Sequence, residues 1–61
     1  MFMFELYDRA LYETMYIFIR AYDEYEAEAR CNELFPKDLY ETYYEDEYTE
    51  EEAEILGYDI F

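Results

Sequence analysis

Apolar residues at the start of the chain recur at every second position, as they do on a half-buried β-strand. Phe2, Phe4 and Leu6 fall two residues apart, which places them on one face of a strand. A second run, Thr14–Ile19, is rich in β-branched and aromatic residues and is typical of a buried strand. Together the two runs predict an N-terminal β-hairpin, although the connection 8–10 lacks the glycine of a favoured two-residue turn.

One long helix is the alternative for the same region. Apolar residues there also recur at spacings of three, four or seven, and no glycine or proline interrupts residues 1–35. The residues at helical spacing are Phe4, Tyr7, Leu11, Phe18, Tyr22 and Tyr25. We favour the hairpin, because β-branched and aromatic residues dominate its second half.

The following segment, residues 23–35, has the pattern of an α-helix. Asp23 is a suitable N-cap, and Glu26 three residues later completes a pattern like a capping box. Arg30 stands four residues after Glu26, a spacing at which the two side chains could pair. Pro36 then ends the helix. A narrow apolar stripe that could pack on a sheet is formed by Ala27, Cys31 and Leu34.

The second half of the chain predicts a third strand and a short helix. Residues 39–45 are rich in Tyr and Thr, which favours a strand. Thr49 and Glu52 have the spacing of a capping box, which opens a short helix, and Gly57 suits the position just after its end. The apolar C-terminal tail is expected to pack back on the domain.

Together these elements predict one α+β domain over residues 1–61, in the order β-β-α-β-α. We expect a small antiparallel sheet of three strands, one main helix packed on it and a short C-terminal helix. An all-α helical hairpin or bundle is the alternative. High net charge is also common in disordered chains, but 54% apolar and 25% aromatic residues favour a folded domain.

The net charge is strongly negative and excludes several classes of function. The chain has 18 Asp and Glu against 4 Lys and Arg, with no His and a formal charge of −14. Phosphate contacts need Lys or Arg, so direct nucleic-acid binding is excluded. Without His there is no Ser-His or Cys-His nucleophile pair, and the single Cys31 cannot form an internal disulfide or a zinc ligand set. We expect no enzyme activity, no metal site and no cofactor.

The negative charge is densest in residues 38–54, which hold nine carboxylates and no Lys or Arg. Carboxylates in phase on a strand, or one helical turn apart, are separated by about 6–7 Å, near the phosphate spacing along one DNA strand. Ordinary surfaces intersperse Lys among such acids, so a partner is expected to supply the counter-charge. The helix dipole explains part of the run 50–52. The candidate binding residues are Asp38, Glu41, Glu45, Asp46, Glu47, Glu50, Glu51 and Glu54, with Tyr43 between the strand acids and with Glu24 and Glu28 as a second row.

This combination of features resembles the small phage-encoded DNA-mimic inhibitors, which include anti-CRISPR proteins, anti-restriction proteins and inhibitors of uracil-DNA glycosylase. The likeness is carried by the length, the charge and the base-free stretch DLYETYYEDEYTEEEAE, residues 38–54. The resemblance implies a protein that occupies the nucleic-acid groove of a host defence enzyme, most sharply a CRISPR effector.

The expected partner is a basic nucleic-acid-binding protein with a Lys/Arg-lined channel, such as a CRISPR effector or a restriction enzyme. The chain itself is expected to be a monomer or a weak dimer. An acidic protein–protein interaction module, such as a phage factor on host polymerase or an antitoxin, and an acidic-aromatic disordered segment are the alternatives. The longest apolar run, Met15–Ile19, is too short to span a membrane, so a cytoplasmic location without membrane contact is expected.

Overall fold

The computed structural model describes residues 1–61 and contains four strands and two helices. In chain order they are β1 (Phe2–Asp8), β2 (Glu13–Ile19), α1 (Glu24–Leu34), β3 (Tyr40–Glu47), α2 (Glu50–Leu56) and β4 (Asp59–Ile60). The strands form one sheet in the order β3-β1-β2-β4, with β1 antiparallel to β2 and β3. The predicted α+β class is confirmed, but the sheet has four strands rather than three. It is mixed, because β4 runs parallel to β2.

The N-terminal segment forms the predicted hairpin and not the alternative long helix. The connection between β1 and β2 is closed by Asp8, whose carboxylate accepts hydrogen bonds from the N–H groups of Ala10 and Leu11 at 2.9 and 3.1 Å. The N–H of Tyr12 donates to the Asp8 carbonyl at 2.8 Å. Tyr12 takes the left-handed conformation, with φ of 56°, that glycine would supply in a shorter turn. The carboxylate of Asp8 therefore takes the place of a glycine turn.

One face of the sheet, here called the helix face, packs against α1 and forms the main core. Alternation along β1 directs Phe2, Phe4 and Leu6 to this face, and each is at most 5% exposed. From α1, Ala27 and Cys31 are fully buried. The buried members of this core are Phe2, Phe4, Leu6, Ile17, Ile19, Ala27 and Cys31. The third residue of the predicted stripe on α1, Leu34, is 47% exposed.

Helix α1 begins as predicted, at an Asp23 N-cap whose carboxylate accepts from the Glu26 N–H at 2.8 Å. The predicted pairing of Glu26 with Arg30 is wrong, because both side chains bond elsewhere. The Glu26 carboxylate accepts from the Tyr22 N–H at 3.0 Å, and the Arg30 guanidinium donates to the Arg20 carbonyl at 2.6 Å. Both contacts fasten the loop before α1 to the helix.

Helix α2 and the C-terminal tail form a second, smaller core on the opposite face. The predicted capping box of Thr49 and Glu52 is present, and Gly57 ends the helix with φ of 75°. Phe18 is fully buried on this face, with its ring centroid 5.7 Å from that of Tyr48 and 6.0 Å from that of Tyr58. Those two tyrosines flank α2, so the helix covers the end of the sheet where Phe18 lies.

The tail packs back on the sheet, as predicted, and adds the fourth strand. Asp59 and Ile60 pair with Ile17 and Phe18. The Phe61 carbonyl accepts from the Arg20 N–H, and the Phe61 N–H donates to the Phe18 carbonyl, both at 2.8 Å. The short length of this pairing, two residues, gave no periodicity from which a strand could be predicted. No helix in the structure is long and apolar enough to cross a membrane.

Candidate functional site

The part of the sheet that α1 and α2 leave uncovered carries a mixed surface of carboxylates and tyrosines. We call it the open face, and its residues are Glu5, Tyr7, Tyr16, Glu41, Tyr43 and Glu45. It arises from the same alternation that builds the core, since Glu5 and Tyr7 stand between the buried residues of β1 and point to the other side.

The strand register brings these residues into two rows across the sheet. Glu5 lies opposite Tyr16 of β2 and Tyr43 of β3, so the acid stands between two phenol rings. In the next row, Tyr7 lies opposite Glu41 of β3. Directly opposed side chains in a sheet are only about 5 Å apart, so acids and rings alternate at close range between β1 and β3 in both rows, and the first row extends to Tyr16 of β2.

Glu41 is held in place by two neighbours. The Tyr43 hydroxyl donates to Glu41 Oε1 at 2.8 Å, and this hydrogen bond is the main reason that the pKa of the Tyr43 phenol is raised. On the other side, Arg9 Nε lies 3.9 Å from Glu41 Oε2. Both contacts are solvent-exposed, so their value is in fixing the direction of the carboxylate more than in stabilising the fold.

A β-bulge brings Glu45 to the open face beside Glu5. The register of β3 against β1 shifts between Met3 and Phe4, where Tyr44 and Asp46 are the paired residues and Glu45 is the extra one. The pKa of Glu5 is raised, chiefly because its protonated carboxyl group can share a hydrogen bond with Glu45, with burial and the negative charge of Glu45 adding to the effect. Two acidic groups are therefore concentrated at one point of the surface.

This concentration of charge also acts on the neighbouring phenol of Tyr16. The negative charge of Glu5 is the largest cause of the raised pKa of Tyr16, and Glu45 adds to it. The Tyr16 ring is supported on its other side by Tyr58, with the ring centroids 5.6 Å apart. The phenol therefore stays neutral beside the acids and presents both a ring and a hydroxyl group.

Beyond the open face, the acids of β3 and α2 continue along the outside of the molecule. Asp46, Glu47, Glu50, Glu51 and Glu54 are all exposed. The Arg20 guanidinium contacts Glu50 Oε1 at 2.6 Å. Of the nine carboxylates in residues 38–54, only Glu41 and Glu50 therefore have a cation within 4 Å.

The candidate residues predicted from the sequence do not all share one side of the molecule. Glu41, Tyr43 and Glu45 lie together on the open face, whereas Glu47 lies opposite Phe2 and points to the helix-face side. Glu24 and Glu28 lie on α1, across the sheet from the open face. Burial, followed by the charge of Glu24, raises the pKa of Tyr44 on the helix face, and Glu28 lines a cavity of about 200 Å³. Asp38 lies in the turn before β3.

Three residues of the open face were not among the sequence candidates: Glu5, Tyr7 and Tyr16. The alternation of β1 already places Glu5 and Tyr7 opposite the core residues, so a signal for them existed. Their proximity to Glu41 and Glu45 could not be foreseen, because it requires that β3 pairs with β1 and that a bulge rotates Glu45. Tyr16 gave no signal apart from its aromatic character.

Other chemistry-bearing groups are limited. No group of three or more His, Cys, Asp or Glu side chains is arranged to hold a metal ion. Burial raises the pKa of the Cys31 thiol to about 11, with the charge of Glu28 adding to the effect, so the thiol is neutral at physiological pH. The two cavities, of about 200 and 190 Å³, both lie beside β3 and share Lys37 and Thr42 in their walls.

Comparisons of the chain with protein-family models, with characterised proteins and with solved structures gave no match.

Proposed function

We propose that this protein is a nucleic-acid mimic that inhibits a DNA- or RNA-binding protein by occupying its Lys/Arg-lined channel. An anti-CRISPR role, in which the channel belongs to a CRISPR effector, is the sharpest form of the proposal. The observation that supports it is the set of carboxylates in residues 38–54, of which seven have no cation within 4 Å.

The spacing of these acids suits the role. Along a strand, residues on one face repeat about every 6.6 Å, and residues one helical turn apart are separated by about 6 Å. Glu50 and Glu54 are one turn apart on α2, whereas Glu41 and Glu45 lie on one face of β3 two repeats apart, about 13 Å, with Tyr43 between them. Because Tyr43 and Arg9 fix the direction of Glu41, part of the entropy cost of binding is met in the free protein.

The unneutralised charge is a cost that a partner would remove. At about 6.5 Å in water, each pair of like charges costs roughly 0.6 kcal/mol before salt screening. A channel that is lined with Lys and Arg to hold phosphates would offset this repulsion on binding. The surface is therefore better suited to a complex than to the free protein.

The tyrosines of the open face add a second means of recognising a basic partner. Tyr43 is 51% exposed and Tyr16 is 38% exposed, and each stands next to a carboxylate. Arg can pair with a carboxylate while its guanidinium plane stacks on an aromatic ring. A Lys-lined channel would gain less from this arrangement than an Arg-lined one.

The test is binding to a panel of CRISPR effectors, restriction enzymes and uracil-DNA glycosylase, with and without competing duplex DNA, at low and high salt. A mimic is expected to bind one of them, to be displaced by the duplex and to lose affinity as salt rises. Binding that the duplex does not displace would contradict mimicry. That result would favour an acidic protein–protein interaction module that contacts the partner outside its nucleic-acid groove.

A further inference from the structure

The long edge of the sheet at β3 has a hydrogen-bonding partner on one side only. In the strand order β3-β1-β2-β4, β3 is the outermost strand, and its eight residues pair only with β1. At the other edge, β4 covers residues 17–18 of β2, which leaves only residues 13–16 uncovered. The free side of β3 is therefore the longest uncovered stretch of strand backbone.

The register shows which backbone groups of β3 point to the free side. In an antiparallel pair, residues that bond to the partner strand alternate with residues whose N–H and carbonyl groups point away. The Arg9 N–H donates to the Leu39 carbonyl at 3.2 Å, so Leu39 is one of the residues whose backbone groups point towards β1. The pairing continues without a shift from there to Phe4. The backbone N–H and carbonyl groups of Tyr40, Thr42 and Tyr44 therefore point away from β1.

Both ends of this free side are closed by the protein itself. The Tyr40 N–H donates to the Pro36 carbonyl at 2.9 Å. At the other end, the Glu47 N–H donates to Asp46 Oδ1 at 2.7 Å. The outward-pointing backbone groups of Thr42 and Tyr44 stay without a partner, and we call this short stretch of the β3 edge the window. The two cavities lie beside it.

Charge determines which kind of strand could fill this window. Glu28 lies beside the window, and Glu45, Asp46 and Glu47 follow it along β3. A second copy of β3 would bring the same acids against them, in a chain with a formal charge of −14. Edge strands are commonly protected from unwanted pairing by charged side chains, and here nearly all of those charges are negative. Lys37 and Arg9, which line the cavities beside the window, are the exceptions, and Arg9 is paired with Glu41.

We infer that the β3 edge takes up an extended Lys/Arg-bearing segment of a partner protein as an added strand, through the backbone groups of Thr42 and Tyr44. The basic character of the partner comes from the proposed function, on which this inference rests. Backbone bonds to the added strand supply affinity, and the acids beyond Tyr44 select basic side chains at one end of that strand.

The probe is a capped eight-residue peptide that alternates arginine and valine. Its control is the same peptide with every backbone nitrogen methylated, which keeps each charge but removes every N–H donor. Strand addition predicts that the control binds at least tenfold more weakly. Equal affinity of the two peptides would overturn the inference, because attraction between charges alone would then explain the binding.

Amide exchange in the unaltered protein locates the contact. The N–H groups of Thr42 and Tyr44 are expected to exchange quickly in the free protein and at least tenfold more slowly with the unmethylated peptide. Those of Glu41 and Tyr43, which bond to β1, are expected to be protected in both states. If these two N–H groups are protected in the free protein, and if that protection increases with protein concentration, the β3 edges of two copies pair with each other. That result would overturn the inference.

A pair of variants tests the same window by binding. Thr42→Pro removes an N–H that points away from the sheet, a position at which an edge strand tolerates proline. Thr42→Val keeps that N–H and a similar shape. We expect at least tenfold weaker peptide binding by the first and no change in the second. If Thr42→Pro does not fold, the amide exchange result decides. The peptide experiments contain no nucleic acid, so their result is independent of the competition test with duplex DNA. The strand-addition inference can fail while the mimic proposal holds, and the mimic proposal can fail while strand addition holds.

Discussion

The two faces of the sheet are built by the same strands but have opposite properties. On the helix face, β1 contributes Phe2, Phe4 and Leu6 to a closed apolar core. On the open face, the residues between them leave Glu5 beside Glu45, with a raised pKa and no cation within 4 Å. The apolar packing that stabilises the protein is therefore concentrated on the helix face, which leaves the open face free to carry charges that do not stabilise the fold.

The largest expected effect comes from breaking the helix face. Leu6 is fully buried, so Leu6→Ala should lower the free energy of unfolding by about 2–5 kcal/mol. Tyr43→Ala removes a larger side chain from the open face, where Tyr43 is 51% exposed, and should cost roughly 1 kcal/mol or less. Urea unfolding followed by circular dichroism measures both. Similar losses in the two variants would show that the two faces do not differ in this way.

A smaller effect is expected from removing the charge of Glu5. The folded protein holds the pKa of Glu5 above its ordinary value, chiefly through the hydrogen bond with Glu45, so the fold prefers the protonated carboxyl. Stability from this group should therefore rise as pH falls through the raised pKa, and the gain is complete below the pKa of the unfolded chain.

Glu5→Gln should accordingly be more stable than the natural chain at pH 7, and the difference should shrink as the pH falls below that raised pKa. Glu33→Gln, an exposed position on α1, is the control for general loss of negative charge. The measurement is the urea midpoint of the three proteins at several pH values. A Glu5→Gln variant that is less stable at pH 7 would contradict the predicted sign.

The smallest effect is expected from the hydroxyl group that orients Glu41. Tyr43→Phe removes the 2.8 Å hydrogen bond but keeps the ring. A single exposed hydrogen bond contributes about 0.5–1 kcal/mol, so binding to the target should weaken by about two- to fivefold. Tyr22→Phe, at a 92% exposed ring on the loop before α1, should change nothing. Equal effects of the two substitutions would show that the direction of Glu41 does not matter.

Much of the fold could be predicted from local signals. The alternation of Phe2, Phe4 and Leu6, the Asp23 cap and the capping box of Thr49 with Glu52 each act within a few residues, and each is present. The hairpin turn was harder to recognise, because it uses the carboxylate of Asp8 and a left-handed Tyr12 instead of a glycine. The fourth strand depends on where the tail docks, which no local pattern encodes.

The candidate site was predictable only in part, for a related reason. Acids on one strand can be placed in phase from the sequence, and Glu41, Tyr43 and Glu45 do lie together. The proximity of Glu5 to Glu45 depends on the pairing of β1 with β3 and on the bulge that places Glu45 on the open face. The same long-range packing separates Glu24 and Glu28 from the open face, since α1 covers the opposite side of the sheet.

The most direct test of the central claim compares two charge-reversed double variants on the target that the panel identifies. Glu41→Lys with Glu45→Lys changes the open face, whereas Glu13→Lys with Glu33→Lys makes the same change in net charge away from it. We predict that the first pair weakens binding at least tenfold and that the second pair weakens it less than threefold. Equal losses in the two variants, or undiminished binding by the first pair, would contradict the assignment of the open face as the surface that replaces nucleic acid.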